Sequence, residues 1–491
     1  MSRIGNTLDH RARKEPGRPF LSLPGERRMV TYGQFAEWSL GLGDELSSVG
    51  GRSLTRIGTL LPNGLEAALA TLAILRSNAT LVPMNPRLTW REIGHILEQS
   101  SPELVLTTPS QPLLQSFIEH GWIQHPVDLA GIRFVALLPE GQWSPAIPAL
   151  RGVALLLFTS GTTGRPKGVL LSEHNLLANA EYVNRAHEIT DSDIALCILP
   201  LYHINGLVVT LLAPLLAGIS VVMPERFIME EFWSLIEEYH PTWFSAVPTI
   251  FSKILSATQP EAHQYASLRF ARSASASLPE AVLQQFEERF DLPLIEAYGI
   301  SEAACQVCSN PLPPARHKPG SVGVSVGNRI KIVDGEVWVS GPNLFRGYFA
   351  LPEESAEALQ EGWFRTGDLG NIDNDGYLFL TGRKSELINR AGEKIAPREV
   401  EEVLHQLSQV ESAGVAGIPS AVYGEEVAAF LVLRPGQTIS SEEVSAHCNI
   451  RLAPFKVPLT ILFVEELPKG PSGKVQRRLL TELYINMSKK K

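Results

Sequence analysis

From Val153 to Tyr298 the chain alternates short apolar runs with amphipathic ones, and that rhythm leaves few folds open. Val153 to Phe158 reads as a buried strand, followed by a glycine-rich loop and a helix that opens near Ser172 and runs through Asn175 to Val183. Ile219 to Met223 reads as a strand and Phe227 to Tyr239 as a helix with an apolar stripe. The series continues with a strand (Thr242 to Val247), a helix (Pro248 to Ala257), a strand (Leu268 to Ala274), a helix (Pro279 to Phe290) and a strand (Pro293 to Tyr298). Strands separated by helices in this way predict an α/β fold built on a doubly wound parallel sheet. Ligands of such sheets gather beyond the carboxyl ends of the strands. The glycine loop, Ser273 to Ser277 and Tyr298 to Glu302 all fall there, so three segments are expected to share one crevice.

The pattern changes after Gly320. Ile330 to Val339 alternates around Asp334-Gly335, a strong hairpin signal, and short strands persist through Tyr377 to Leu380, which predicts a small β subdomain. Past Arg383 come a Pro397-led helix to Gln406, strands near Ala413 to Gly417 and Val427 to Leu433, and a Ser440-x-x-Glu443 capping box. The expected organisation is a large N-terminal domain over residues 1–382, a hinge at 383–386 and a small mobile α+β C-terminal domain over 387–491.

Length and charge restrict the function. A chain of 491 residues exceeds one core. Its net charge of −9 offers no basic field to nucleic acid or an anionic membrane, so any polyphosphate must be held by a local site. Four cysteines are too few for a disulfide framework, and Cys305-x-x-Cys308 lacks the second ligand pair of a zinc site. The start of the chain has no signal-peptide pattern, so a cytoplasmic location is expected. The longest apolar run, Leu207 to Met223, is interrupted by Pro214 and Gly218 and reads as a buried helix and strand, not as a membrane span.

The loop Thr159-Ser160-Gly161-Thr162-Thr163-Gly164-Arg165-Pro166-Lys167-Gly168 concentrates glycines, hydroxyls and a lysine. Backbone N–H groups freed by glycine form an anion nest, hydroxyls add donors and Lys167 adds a mobile positive charge, so the loop suits an oligophosphate. It is not a Walker A sequence, since Pro166 stands where the second glycine belongs, and no G-x-G-x-x-G opens a helix after a strand.

This loop, Tyr298-Gly299-Ile300-Ser301-Glu302, Gly362 to Leu369, Gly382-Arg383, Gly392 to Pro397 and Pro471-Ser472-Gly473-Lys474 occur in order. Together they resemble the core motifs of the acyl-adenylate-forming (AMP-binding) superfamily over nearly the whole chain. The resemblance is closest to its acyl-CoA synthetase branch, in particular the oxalyl-CoA synthetase and 4-coumarate-CoA ligase-like group. It implies an acid–thiol ligase using ATP, Mg²⁺ and CoA or a phosphopantetheine arm. By this resemblance Thr159, Ser160, Gly161, Thr162, Thr163, Gly164 and Lys167 grip the outer phosphates, Ser301 touches the α-phosphate and Glu302 holds Mg²⁺. Ser301 replaces the family's commoner threonine and keeps the hydroxyl. Asp368 and Arg383 resemble the ribose-binding pair, Tyr298 the residue that stacks on adenine, and Ala276, Ser277, Glu296 and Ala297 fall at nucleotide-binding positions. Lys474 resembles the catalytic lysine brought by the C-terminal domain, which then rotates to admit the thiol. Ser385 stands at the pivot, where the family usually has aspartate or lysine, and Gly392 resembles the glycine along the pantetheine tunnel.

His203 resembles the gate between acid and thiol, with catalytic standing beside Lys474 and Glu302. The absence of an acidic residue from Leu199 to Ala213 disfavours an α-amino acid. The acid pocket is expected from His203, Phe244, Ala246, Ala297, Gly299 and Cys305. Cys305 and Ala297 stand where dicarboxylate-specific relatives carry histidine and arginine, so a neutral pocket and a small or medium monocarboxylic acid are expected. Loading of an acyl carrier protein is the alternative to CoA, and a non-catalytic nucleotide-binding relative is the reading from another class.

Overall fold

The computed structural model of the chain describes residues 2–51, 54–141, 150–159, 166–470 and 475–488. Among these residues the strands form four sheets, two large ones of nine and seven strands and two small ones of five each. The nine-stranded sheet runs in parallel from Pro19–Leu23 through Ser220–Val222, Ile194–Leu196, Trp243–Ala246 and Phe270–Ser273 to Leu294–Ile300. Antiparallel strands close both edges, Arg28–Thr31 at one and Cys305–Ser309 with Val324–Ser325 at the other. Every residue of the central strands Trp243–Ala246 and Phe270–Ser273 is buried, as a parallel sheet covered on both faces requires.

The seven-stranded sheet is parallel over Leu104–Thr107, Arg56–Leu60, Thr80–Pro83 and Leu155–Thr159. One apolar cluster runs from this sheet (Ile57, Leu81, Leu155) through helices (Leu42, Leu69, Leu176) to the larger sheet (Leu21, Val221, Phe270). The helix Leu65–Arg76 is buried almost all round, from Leu65 and Ala67 to Leu75, which is the signature of a helix inside a core. Helix starts follow local chemistry. Ser172 and Asn175 form a reciprocal capping box ahead of Glu173–Ala186, and Ser440 and Glu443 do the same ahead of Ser441–Arg451.

Two sequence expectations change here. The glycine loop does not lead directly into a helix, because Lys167–Leu171 forms a strand antiparallel to Leu155–Thr159, with Thr159 paired to Lys167. The strands on either side of residues 160–165 therefore pair with each other and belong to the seven-stranded sheet, whereas Ser273 to Ser277 and Tyr298 to Glu302 belong to the other. The run after Leu207 is helical, but Asn205–Leu212 is a π-helix that passes into the α-helix Ala213–Ala217. Short π segments are frequent at functional sites.

The hairpin at Asp334-Gly335 is present, joining Arg329–Val333 to Glu336–Ser340 in a small sheet with Trp363–Ile372 and Leu378–Arg383. Arg383 ends that sheet, Lys384–Glu386 makes a short 3-10 turn, and Ile388–Arg390 opens the last sheet. The latter has its own apolar cluster, with Ile388, Val400, Val415, Ala429 and Val444.

Candidate active site

Three side chains from separate segments converge where the larger sheet meets the first small one. Asp368 and Arg383 are register partners on antiparallel strands, and Arg383 Nε lies 3.1 Å from Asp368 Oδ1. The hydroxyl of Tyr298, at the end of the strand Leu294–Ile300, donates to Asp368 Oδ2. Gly367, at φ +71, turns the chain just before Asp368, and the Asp368 N–H donates to Thr366 Oγ1 at 3.0 Å. Burial, then the Asp368 charge, pushes the Tyr298 phenol well above its ordinary range. Burial also works against the charge on Arg383, but Asp368 leads the neighbours that hold its pKa up. The outcome is a carboxylate with a hydroxyl donor on one oxygen and a guanidinium ion pair on the other. The Tyr298 ring belongs to a buried cluster with Val307, Val322 and Leu378, and its residue is 7% exposed.

A second group joins the two large sheets. Glu302 lies in the turn Ser301–Ala303, and its Oε1 accepts the Tyr348 hydroxyl at 2.9 Å. Lys167 Nζ stands 5.0 Å from the centre of the Tyr348 ring. The backbone holds this arrangement: Phe345 N–H donates to Glu302 O at 2.7 Å, while Leu170 N–H donates to Gly347 O and Phe349 N–H to Gly168 O. The segment carrying Tyr348 thus stitches the strand Lys167–Leu171 to the Glu302 turn. Lys167, at the far edge of the glycine-loop motif, and Glu302 thus meet at Tyr348, a residue no motif pointed to.

The region of the expected acid pocket is arranged differently from the expectation. Phe244 and Ala246 pack with Phe232, Phe251 and Leu294, whereas Cys305 belongs to the cluster on the opposite face of the sheet. The strand's two-residue period separates them, so these two residues do not share a lining with Cys305. Ser245 takes the facing position, beside Asn205, Arg272 and Gln306. Ala297 is buried. A Cβ on Gly299 would lie 2.1 Å from the Cys305 carbonyl oxygen, so the glycine permits close strand contact there. His203 stacks obliquely on Tyr202, ring centres 4.7 Å apart, at the entrance to the π-helix. Gly206 admits the chain at that turn, since a Cβ would stand 2.2 Å from Pro200 O.

Glu296 is buried on the same strand as Tyr298. Its Oε1 accepts the Leu278 N–H at 3.1 Å and its Oε2 has no partner. Burial raises its carboxyl to about 7, opposed chiefly by Arg398. Ala276 and Ser277 lie in the loop between the strand Phe270–Ser273 and the helix Glu280–Phe290, just ahead of Leu278. Ser385 is exposed in the turn Lys384–Glu386. Gly392 sits at φ +98 at a hairpin tip, so its backbone conformation alone favours glycine. Ser160, Gly161, Thr162, Thr163, Gly164 and Lys474 lie outside the described residues. Arg477, three residues beyond Lys474, pairs with Glu386 at 2.7 Å and Glu401 at 2.8 Å, anchoring the last helix to the turn after Arg383.

These donors suit a nucleotide. A carboxylate oriented by a tyrosine and an arginine can accept two sugar hydroxyls, and Lys167 and Glu302, both held at Tyr348, supply opposite charges for a phosphate and a cation. No group of three or more His, Cys, Asp or Glu side chains is gathered as a metal cage among the described residues. Glu302 alone fits Mg²⁺, which keeps several waters and is usually bound by one or two carboxylates together with substrate phosphates. Sequence reasoning missed Tyr348, Asn205, Ser245 and Gln306. Arg272 had a readable signal, a charged residue within a strand otherwise built for burial.

Comparison with known proteins follows the same lines. Residues 8–349 match the AMP-binding enzyme family and residues 399–474 its C-terminal domain. A sulfoacetate–CoA ligase of Cupriavidus necator is 37% identical, over 95% of this chain and 95% of that one. An oxalate–CoA ligase of Arabidopsis thaliana is also 37% identical, over 98% of both chains. The o-succinylbenzoate CoA synthetase of Bacillus subtilis, solved with its acyl-adenylate intermediate, superposes with a TM-score of 0.82 at 29% identity over 97% of each chain. The same enzyme has been solved with ATP and a magnesium ion.

Proposed function

We propose a division of labour among these residues from the fact that this chain belongs to the AMP-binding enzyme family. It is an AMP-forming acid–thiol ligase, which activates a carboxylic acid with ATP and transfers the acyl group to CoA. In the first step a carboxylate oxygen attacks the α-phosphorus and the bond to pyrophosphate breaks. In the second, the CoA sulfur attacks the acyl carbon and AMP leaves with the bonding electron pair. The thiol proton passes to solvent.

Asp368 takes the ribose hydroxyls, held in place by Arg383 and Tyr298. Lys167 and the hydroxyls of the glycine hairpin take the outer phosphates, and Ser301 the α-phosphate. Glu302, aligned by Tyr348, holds Mg²⁺, which supplies charge neutralisation at the phosphoryl oxygens. Lys474 enters from the C-terminal domain to bring the acid and α-phosphate together, after which a rotation about 383–386 presents Gly392 to the thiol. His203 gates the acid pocket. Positioning and fixed charge do the work, as phosphoryl transfer generally requires. The observation that carries this reading is the shared carboxylate of Asp368, gripped on both oxygens beside the Glu302–Tyr348–Lys167 group.

Transfer to a carrier-protein arm differs only in the acceptor, and thioester yield from CoA against carrier proteins separates the two. We place the enzyme in the cytoplasm, a reading supported by four free, buried cysteines. No described helix is long and apolar enough to cross a membrane. The test is a pyrophosphate-release screen over short, aryl and longer acids with ATP, Mg²⁺ and CoA. Acid-dependent release followed by CoA thioester is expected. Absence of AMP with every acid overturns the reading.

A further inference from the structure

Ser275 holds a backbone conformation that its side chain disfavours. Its φ is +74, in the left-handed region that glycine enters freely and other residues resist. Several other residues at positive φ, Ser101, His240 and Asp291 among them, close the ends of helices, where the backbone bonds of the cap hold the turn. Ser275 is placed differently. It lies between the strand Phe270–Ser273 and the helix Glu280–Phe290, and its Oγ accepts from Asn205 Nδ2 at 3.2 Å, across 70 residues of chain. Strain of this kind persists only where the surrounding structure imposes it.

Asn205 is fitted to impose it. It is 4% exposed and opens the π-helix Asn205–Leu212, two residues past His203. The chain around it is tied down: Asn63 accepts the Leu201 N–H at 2.9 Å and donates to Leu199 O at 3.0 Å, and the Leu207 N–H donates to His203 O at 3.0 Å. The Asn205 amide is oriented by Arg272, a fully buried guanidinium bonded to neutral side chains. Arg272 Nη1 donates to Asn205 Oδ1 at 3.2 Å and to Ser245 Oγ at 2.8 Å, and the Ser245 hydroxyl donates to the same Oδ1 at 3.2 Å. A guanidinium has no acceptor, so it takes the amide oxygen and turns the amide nitrogen toward Ser275.

The loop that contains Ser275 is pinned on both sides of it. The Ala274 N–H donates to Ala246 O at 3.1 Å, and the Leu278 N–H donates to Glu296 Oε1 at 3.1 Å. Between Ser275 and Leu278 stand Ala276 and the exposed Ser277, the positions expected to meet the nucleotide. We infer that Asn205 is a positioning residue for the adenylation step. Its bond to Ser275 keeps the loop 274–278 in the conformation that offers Ala276 and Ser277 to the nucleotide, and ties that loop to the chain that carries His203. This rests on the ligase reading above and adds the residue that joins its acid gate to its nucleotide loop. Arg272 thereby has a task inside the fold, since it orients the amide that holds the loop.

The test is calorimetric binding of AMP, and of ATP with Mg²⁺, to the full chain, with Tm measured alongside. Asn205→Ala and Ser275→Ala should each weaken AMP binding by ~5–10-fold, the scale of one hydrogen bond, and the double variant should be no weaker than either alone. Ser275→Gly is the decisive variant. Glycine adopts a φ of +74 without being held, so Ser275→Gly should stay within ~3-fold of wild type although it lacks the hydroxyl, and should restore binding in the Asn205→Ala background. A hydroxyl that touched the nucleotide itself would make Ser275→Gly as weak as Ser275→Ala, and that result overturns the inference. So does a fall in Tm with AMP affinity unchanged in Asn205→Ala and Ser275→Ala, the outcome for a bond that only stabilises the fold. If Asn205→Ala does not fold because Arg272 has lost an acceptor, Ser275→Ala against Ser275→Gly still decides. A wild-type chain that binds neither nucleotide overturns the ligase reading together with this one, whereas wild-type binding with unresponsive variants overturns this one alone.

Discussion

Arg383 is tied to Asp368 twice, by its place as register partner across two antiparallel strands and by an ion pair of 3.1 Å. The pair sits at the end of the small sheet, immediately before the turn that leads to the last domain. The proposed nucleotide grip and the start of the proposed hinge are therefore neighbours in the chain, and Arg383 lies at the meeting point of the two.

Asp368→Asn keeps the shape and removes the charge. Hydrogen bonds to charged groups contribute about 1.5–3 kcal/mol, so the KM for ATP should rise by roughly 10–100-fold with little change in Tm. Isotope exchange between pyrophosphate and ATP measures it. An unchanged KM would remove Asp368 from the ribose site.

Tyr348→Phe removes the donor to Glu302 Oε1 and keeps the ring beneath Lys167. A loosened carboxylate should raise the Mg²⁺ concentration needed for half-maximal rate by about 3–10-fold, the scale of one hydrogen bond. Tyr348→Leu, which also removes the aromatic face, should cost more. Equal Mg²⁺ curves for Tyr348→Phe and wild type would show that the hydroxyl has no part in holding the ion.

Lys474→Ala should lower adenylate formation by at least ~100-fold, the worth of a positioned charge in the transition state, and should leave transfer from preformed acyl-AMP to CoA largely intact. Single-turnover assays of each half-reaction separate the two. Equal losses in both would contradict an alternating C-terminal domain.

Glu296 makes stability depend on pH. Burial raises its folded pKa to about 7, above the ordinary carboxylate value, against the pull of Arg398 and with the like charges of Glu402 and Glu280 adding to the rise. The folded state then holds a proton that the unfolded state has already lost, so stability falls as pH rises from about 4.5 to 7 and is flat beyond. The loss is about 3 kcal/mol at most. Glu296→Gln should flatten this slope, so that the variant gains Tm relative to wild type at pH 8 compared with pH 5. A Tm difference independent of pH would show that Glu296 stays ionised.

Much of this molecule is written locally. The caps at Ser172 and Ser440 and the hairpin at Asp334-Gly335 depend on turn chemistry within a few residues and are present, as is the strand–helix rhythm from Ile219 to Tyr298 that periodicity encodes, whereas the strands Lys167–Leu171 and Ile194–Leu196 were not read. The motif order was equally readable, so Asp368, Arg383 and Glu302 could be named before their neighbours were known. Chain-distant choices were not readable. Whether Phe244 or Ser245 faces Cys305 depends on which face of a strand meets which helix, and a slip of one residue reverses it. Tyr348 reaches Glu302 across 46 residues and Arg272 reaches Gln306 across 34, contacts that no local pattern encodes. Local preferences thus settled the elements and the chemistry on offer. Packing of distant segments decided which charges were answered, because only a shared interior brings a carboxylate to a guanidinium or leaves it without one.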